Sequence, residues 1–518
     1  MINISKTIVK EVLVVGSGIG GLLTSKKLGD KKREILLITK GTLGGGASFF
    51  PLKGTLGIQT TDDDEKDEVL FKEDISKIGN KMDNPEMVET YIKESKEAIS
   101  LLNEIGFAPW LRKDRRPACF AKYPRNIYLI KDWENSKKNA REILKKYKNL
   151  EILEKTEIIK ILVNNNKVIG AIIKCNKEFI LVKTSVIILA TGGIGGLYKN
   201  TLYPKDIMGI GHSLALDAGA SLVNMEFIQF IPGFIKPKYN VLFGEHTFKY
   251  ALEPCDKNKK LWIERSSYAP FSFDFPSHKI DLQMGKGIYL KFHEDLYKDE
   301  GEFYKVYLSW LKESQNINMC KDEIEIAPFA HSSNGGIKIN INGKSEVDGL
   351  YGIGEVASGI EGANRLGGNS VGGALVFGRR AVIDIDNYLN QKMEISDFIY
   401  KKEINTWINS LLKKESNNLY TSKKVLLEIG NILNEHGLII RNEDSLNLGL
   451  KKLQELENNY SLKENILEQG FDVIYSLKMA KILLQAMKKR KESRGAHYRS
   501  DYPYTLKESS SEKISKYT

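Results

Sequence analysis

Cysteine is scarce in this chain. The four cysteines, Cys119, Cys175, Cys255 and Cys320, lie far apart and form no CxxC pair. That argues against an all-cysteine zinc site or a cysteine-ligated iron–sulfur cluster in the chain itself, and it gives no sign of a disulfide framework. Long hydrophobic runs are missing too. No apolar stretch approaches the roughly 18–20 residues of a membrane span. The first apolar run, residues 12–15, ends in a glycine-rich turn and lacks the length and cleavage site of a secretory signal. These absences predict a soluble, cytoplasmic protein. No internal repeat is visible. A surplus of one charge sign is small for the length: Lys+Arg is 77 against Asp+Glu 66, a net +11. No recognisable nucleic-acid module accompanies it. A solvated lysine-rich surface explains the surplus, and a basic funnel for an anionic substrate is the functional alternative.

What is present is ordinary globular composition, 42% hydrophobic and 28% charged over 518 residues. That length suggests about three domains. The N-terminus reads strand, glycine turn, helix, strand: 11–15 (EVLVV), 16–21 (GSGIGG), 22–28, then 34–39 (EILLIT). Residues 151–189 read as three or four strands joined by short turns, an antiparallel meander. Residues from about 225 to 335 carry more aromatics and prolines and read as an insertion. From about 397 to 491 apolar residues recur at helical spacing, a helical domain. The polar end, 509–518, is expected to fray.

Gly16-x-Gly18-x-x-Gly21 fits a dinucleotide fingerprint. The first glycine makes the tight turn, the second lets backbone approach a pyrophosphate, and the third lets helix pack on strand. The helix N-terminus then meets the phosphates with its partial positive charge. The second strand ends in Thr39-Lys40 rather than an acidic residue for a ribose 2′-hydroxyl, which argues against a plain NAD site. Four more glycine clusters follow: Gly44 to Ser48, Ala190-Thr191-Gly192-Gly193, Gly349 to Glu355, and Gly362 to Ser370. Together they suggest backbone approaching an extended ligand at several points.

The motifs GSGIGG, Thr39-Lys40, ATGG at 190–193, GLYGIGEVASGIEGANRLGGNS at 349–370 and ESRGAHYRSDYP at 492–503 together resemble the flavoproteins of the fumarate reductase, succinate dehydrogenase and L-aspartate oxidase family. The resemblance spans nearly the whole chain. It implies an α/β fold: a Rossmann-like FAD-binding domain (1–225 and 336–396), an inserted α+β capping domain (226–335) and a C-terminal helical domain (397–518). It also implies FAD, with Gly16, Gly18 and Gly21 at the pyrophosphate and Lys40 near the adenosine ribose. Ala47, Ser48, Ala190, Thr191 and Gly192 would belong to the same site. Glu355 would serve the ribityl side, and Asn369, Ser370 and Val371 would line the isoalloxazine. Membrane-complex members bond the flavin to a histidine after the second strand. Here residues 46–51 are GASFFP, so the expectation is non-covalent FAD.

The implied activity is hydride transfer between flavin N5 and a small carboxylate. His331 matches one substrate histidine of the family and Arg365 the carboxylate-clamping arginine, whose planar fork suits a carboxylate. A satisfied core histidine and a structural ion pair are the bland alternatives, and the motif matches favour the site readings. Other substrate residues depart from the family. Ile231 stands where a second histidine is expected, and Phe273 aligns with the proton-shuttling arginine. The family's upstream Arg-Gly-Glu relay has no match in residues 245–250. His278 and Lys279 are nearby substitutes, with ordinary capping-domain surface as their favoured reading. Weak turnover of fumarate, succinate and L-aspartate is therefore expected, with a substrate apolar towards Ile231 and Phe273. His497 and Arg499 read as structural braces. L-aspartate oxidase is the rival activity, and a flavin-holding electron carrier without its own substrate is the rival class. The resemblance leaves room for an iron–sulfur or other electron-transfer partner. No metal site is expected.

Overall fold

The computed structural model describes residues 2–50, 54–62, 64–118, 120–252, 287–390, 396–412, 419–511 and 513–515. Five parallel strands form its central sheet, in the order Leu350–Gly352, Val186–Leu189, Val12–Val15, Ile35–Ile38, Leu150–Leu153. The three inner strands read VIIL, VLVV and ILLI and are buried throughout. Such runs suit a parallel sheet covered on both faces. Alternate residues feed different cores. Val12, Val14, Ile35 and Leu37 pack with Leu22 and Leu23 of helix Ile19–Asp30 and Leu375 of helix Asn369–Leu389. Leu13, Val15, Leu36 and Ile38 pack in the other core, with Ile159 and Ile172.

Ile159 and Ile172 belong to an antiparallel meander, Thr156–Asn164, Lys167–Cys175 and Glu178–Lys183, extended by Ile4–Val9 in parallel. Asn165 and Asn166 make its first turn in the left-handed region (φ 48 and 58), which asparagine tolerates. The sequence reading placed all of 151–189 in this meander. Its two ends leave it: Leu150–Leu153 and Val186–Leu189 join the parallel sheet. Val186–Leu189 is apolar on both faces, and only the covered sheet buries both.

The inserted cap is an antiparallel sheet ordered Val241–Leu242, Ile228–Lys236, Ile324–Ser333, Ile288–Leu290, with helix Glu302–Trp310 beside it. Its core is aromatic, including Phe234, Phe243, Phe248, Phe292 and Tyr307. A latch ties it to residues 110–116. Arg116 Nη1 meets Asp299 Oδ1 at 2.8 Å, Trp110 Nε1 donates to Glu302 Oε1 at 2.9 Å, and Glu302 N donates to Asp114 Oδ2 at 2.9 Å.

The C-terminal part is helical: Asp397–Leu412, Ser422–His436, Glu443–Asn458 and Gly470–Lys489. Thr421 and Asn442 cap the second and third by accepting from Lys424 N and Ser445 N. The last helix is mostly buried, and Ser213 Oγ of helix Ile210–Ala218 donates to its Tyr475 O at 3.2 Å. His497 and Arg499 are fully buried. Arg499 holds Asp501 at 2.7 Å through both Nε and Nη2, and His497 Nδ1 lies 2.6 Å from Arg441 Nη1. They brace the loop after the last helix.

The tail does not fray as expected at its described residues. Lys513–Ile514 pairs antiparallel with Leu222–Val223, and Ser509 Oγ donates to Glu492 Oε1 at 2.6 Å. The carboxylate of Glu492 is buried, and tail groups help satisfy it. Among the described residues, no helix is long and apolar enough to cross a membrane.

Candidate functional site

The strand-to-helix turn after Val12–Val15 opens one end of a cavity of ≈ 820 Å³. Gly16 sits at φ +106, where a Cβ would lie 2.3 Å from Ala190 O. A Cβ on Gly21 would lie 1.8 Å from Gly16 O. Both positions therefore demand glycine, but for different reasons: Gly16 lines the cavity, while Gly21 lies behind it and sets the helix against the turn. Gly18 is the N-cap of helix Ile19–Asp30 and supplies no side-chain cap, so the dipole end of that helix faces the cavity. Ser48 Oγ accepts from Ile19 N at 3.2 Å, and Ser17 Oγ donates to Thr39 Oγ1 at 3.0 Å.

Thr39, Lys40, Ala47, Ser48, Ala190, Thr191 and Gly192 all line the same cavity. Lys40 Nζ makes an ion pair with Asp472 Oδ2 at 2.7 Å. Asp472, Phe471 and Tyr475, from the last helix, complete this end. Sequence reading missed these three. Asp472 brings an acidic group to this end from more than four hundred positions later in the chain.

Farther along, Glu355 Oε1 accepts from Ser333 N at 2.9 Å and from the Tyr203 hydroxyl. Burial, then the neighbouring carboxylate, push the Tyr203 phenol well above its usual range, so it stays a donor. Gly368, at φ 92, caps helix Asn369–Leu389 without a side chain. Ser370 and Val371 of its first turn line the cavity, and Asn369 lies fully buried without being part of the lining. A second helix N-terminus thus points at the same space.

The far end holds His331 and Arg365. His331 occupies a bulge in strand Ile324–Ser333. Gln229 pairs with Ser332 and Phe230 with Ala330, so the register slips by one residue at His331. Bulges of this kind re-aim a side chain. Arg365 Nε donates to Gln229 Oε1 at 3.2 Å, and Gln229 Nε2 returns bonds to Arg365 O at 2.9 Å and Asn364 Oδ1 at 2.8 Å. Behind Arg365, burial first, offset by Arg365 and reinforced by Glu355, raises the Glu361 carboxyl to about 7. Ile231 lines this end as expected, and so does His246, which sequence reading passed over. Phe273, His278 and Lys279 lie outside the described residues.

The donor set fits an extended dinucleotide. Thr191 Oγ1, on a residue of the lining, is buried without a hydrogen-bond partner among the described residues. Orphaned buried polar groups in a cavity wall call for a ligand. Two uncapped helix N-termini and a glycine cradle face the same cavity.

The family model for the FAD binding domain matches residues 11–246 and 311–371. The model for the fumarate reductase flavoprotein C-terminal region matches 427–512. The chain belongs to the fumarate reductase flavoprotein family. It is similar to an uncharacterised FAD-dependent oxidoreductase of Methanocaldococcus jannaschii, 27% identical, over 96% of this chain and 94% of that one. It is 30% identical to the L-aspartate oxidase of Clostridium perfringens, over 74% of this chain and 88% of that one. Among solved structures it superposes on an E. coli quinol fumarate reductase chain with TM-score 0.80 at 19% identity, covering 97% of this chain and 93% of that one. This flavoprotein is accordingly an FAD-dependent oxidoreductase with the α/β FAD-binding fold, the cap and the helical C-terminal domain expected from its motifs.

Proposed function

We propose that the flavoprotein binds FAD non-covalently and oxidises or reduces a small carboxylate held by Arg365 and His331. The observation that carries this is the meeting of both side chains in the cavity that begins at Gly16. Bound FAD would supply the ring that accepts or donates the hydride. The residues do the rest. Gly16, Gly18, Ser48 and the helix end at Ile19 bind the pyrophosphate, and Lys40 and Asp472 hold the adenosine end. Glu355, Ser370 and Val371 position the ring portion. Arg365 offers its fork to the substrate carboxylate, and His331 gives a second polar contact. The latched cap excludes water from that end.

Absence of a histidine in residues 41–62 supports the non-covalent reading. The boundaries 1–225 with 336–396, 226–335 and 397–518 are proposed as the three domains. L-aspartate oxidation is the second reading, favoured by the Clostridium perfringens relative and disfavoured by Ile231 on the cavity wall.

The test is equilibrium titration of the yellow holoenzyme with fumarate and oxaloacetate, comparing wild type with Arg365→Ala. A charge-assisted hydrogen bond is worth roughly 1.5–3 kcal/mol, so the variant should bind about tenfold to a hundredfold more weakly while keeping its FAD. Equal affinity would remove Arg365 from the site. Oxygen-linked turnover of L-aspartate near the median enzyme rate of about 10 s⁻¹ would establish the second reading.

A further inference from the structure

The cap end of the cavity has a chemistry the carboxylate anchors do not explain. His246 stands on the short helix Glu245–Tyr250 and lines the cavity. Its ring is enclosed by aromatic rings, with centroids 4.6 Å from Phe303, 4.5 Å from Tyr304 and 5.1 Å from Tyr307. All three also line the cavity, beside Ile231 and Phe243. The backbone of the cage is tied by its own hydroxyls. Tyr304 donates to His246 O at 2.6 Å, and Tyr307 donates to Leu242 O at 2.9 Å while accepting from Gly244 N at 2.7 Å. These hydroxyls are committed, so the rings present faces and edges to the cavity.

His246 is only 7% exposed, and its Nε2 has no hydrogen-bond partner among the described residues. A buried ring nitrogen without a partner, on a residue that lines a cavity, is stabilised by any ligand atom that comes to pair with it. Burial lowers its pKa to about 3, with Asp299 opposing and Lys249 and Arg116 assisting. The imidazole is thus neutral near pH 7 and offers one N–H or one lone pair, not a charge. The cations beside the cage are occupied: Arg116 and Lys249 hold Asp299 at 2.8 and 2.7 Å. Glu245, an acid, lines the same end. Arg112 and Arg116 both line the cavity, and each is already ion-paired with an aspartate, Arg112 with Asp114 at 3.1 Å and Arg116 with Asp299 at 2.8 Å.

We propose that the cage of His246, Phe303, Tyr304 and Tyr307 binds an uncharged flat group of the substrate, an aryl or comparable unsaturated group, with His246 Nε2 hydrogen-bonding a neutral polar atom on it. The substrate class is then a monocarboxylate with an aromatic arm, not a dicarboxylate. This rests on the reading of Arg365 as the carboxylate anchor. Stacked and edge-to-face ring contacts are the natural stabilisation for such an arm.

The experiment titrates the oxidised holoenzyme with 3-phenylpropenoate, its 4-hydroxyphenyl analogue and fumarate, following flavin absorbance or heat. Wild type should bind 3-phenylpropenoate at least about tenfold more tightly than fumarate. Phe303→Ala should remove that preference and leave fumarate affinity unchanged. His246→Phe should keep 3-phenylpropenoate binding but abolish any advantage of the hydroxyl analogue. Retained FAD and far-UV circular dichroism identify folded variants. Fumarate binding as tight as 3-phenylpropenoate, with Arg365→Ala weakening both, overturns the cage and leaves the anchor standing. If Arg365→Ala weakens neither ligand, the anchor reading fails instead. A phenyl preference that survives both Phe303→Ala and Tyr304→Ala also overturns the cage.

Discussion

Gln229 and Arg365 hold each other through two hydrogen bonds: Arg365 Nε to Gln229 Oε1 at 3.2 Å, and Gln229 Nε2 to Arg365 O at 2.9 Å. One amide thus fixes both the guanidinium and the loop that carries it. Gln229 also faces the bulge that re-aims His331. A single strand position organises both polar anchors.

Gln229→Ala should therefore loosen Arg365 without removing it. Loss of these bonds is worth about 1–2 kcal/mol, or roughly fivefold to thirtyfold in carboxylate affinity. FAD content should stay at the wild-type level. Calorimetric titration of the variant checks this, and unchanged affinity would show that the loop holds Arg365 unaided.

Acid precipitation of the purified yellow protein should release its flavin into the supernatant. The stretch 46–51 that follows the second strand offers no histidine for a covalent bond. Flavin retained in the washed pellet would contradict this.

Glu361 should make ligand binding pH-dependent. The groups facing it are Arg365, Glu355, the Ser370 hydroxyl and Tyr91. Its carboxyl rises from the usual 4.5 to about 7 in the fold. The folded state thus holds the proton more tightly than the unfolded chain. The stability this contributes is fully present below about 4.5 and is lost as pH rises through about 7. Above that, ionised Glu361 competes for Arg365. Carboxylate affinity should fall as pH passes through neutrality, by roughly tenfold for each pKa unit of coupling. Glu361→Gln should flatten both the affinity profile and the corresponding part of the Tm profile. A wild-type profile identical to that of the variant would exclude Glu361 as the titrating group.

Asp299 works in the opposite sense. Burial alone would raise it, yet hydrogen bonds from Lys249, Tyr250, Gly301 N and Arg116 hold it well below the usual carboxylate range. Its contribution is present above the unfolded carboxylate value and lost as pH falls through the depressed one. Asp299→Asn should lower Tm at pH 7, with a loss of about 1–3 kcal/mol. The gap to wild type should narrow in acid. A constant gap from pH 7 to pH 3 would mean that charge is not what closes the latch.

The sequence revealed the parts of this site that obey local rules. Gly16 and Gly21 are legible because steric demands of one turn select them, and the buried strands are legible because both faces are apolar. Asp472 and His246 were not legible. Each reaches the cavity from an element whose own pattern describes only a helix or an aromatic loop. The bulge at His331 left no mark either, since nothing in residues 228–236 or 324–333 announces a slipped register. The tail misled for a related reason: its polar residues read as solvated, whereas several satisfy the buried Glu492 and Arg490.

The pairing of Lys40 with Asp472 also sets a timetable. The glycine turn and the first strands leave the ribosome early, but the wall carrying Phe471, Asp472 and Tyr475 is made some four hundred residues later. A nascent or prematurely stopped chain has the cradle without its closing side. On the proposed reading of this cavity, cofactor loading should wait until synthesis has passed the last helix, and a chain stopped before residue 470 should be colourless.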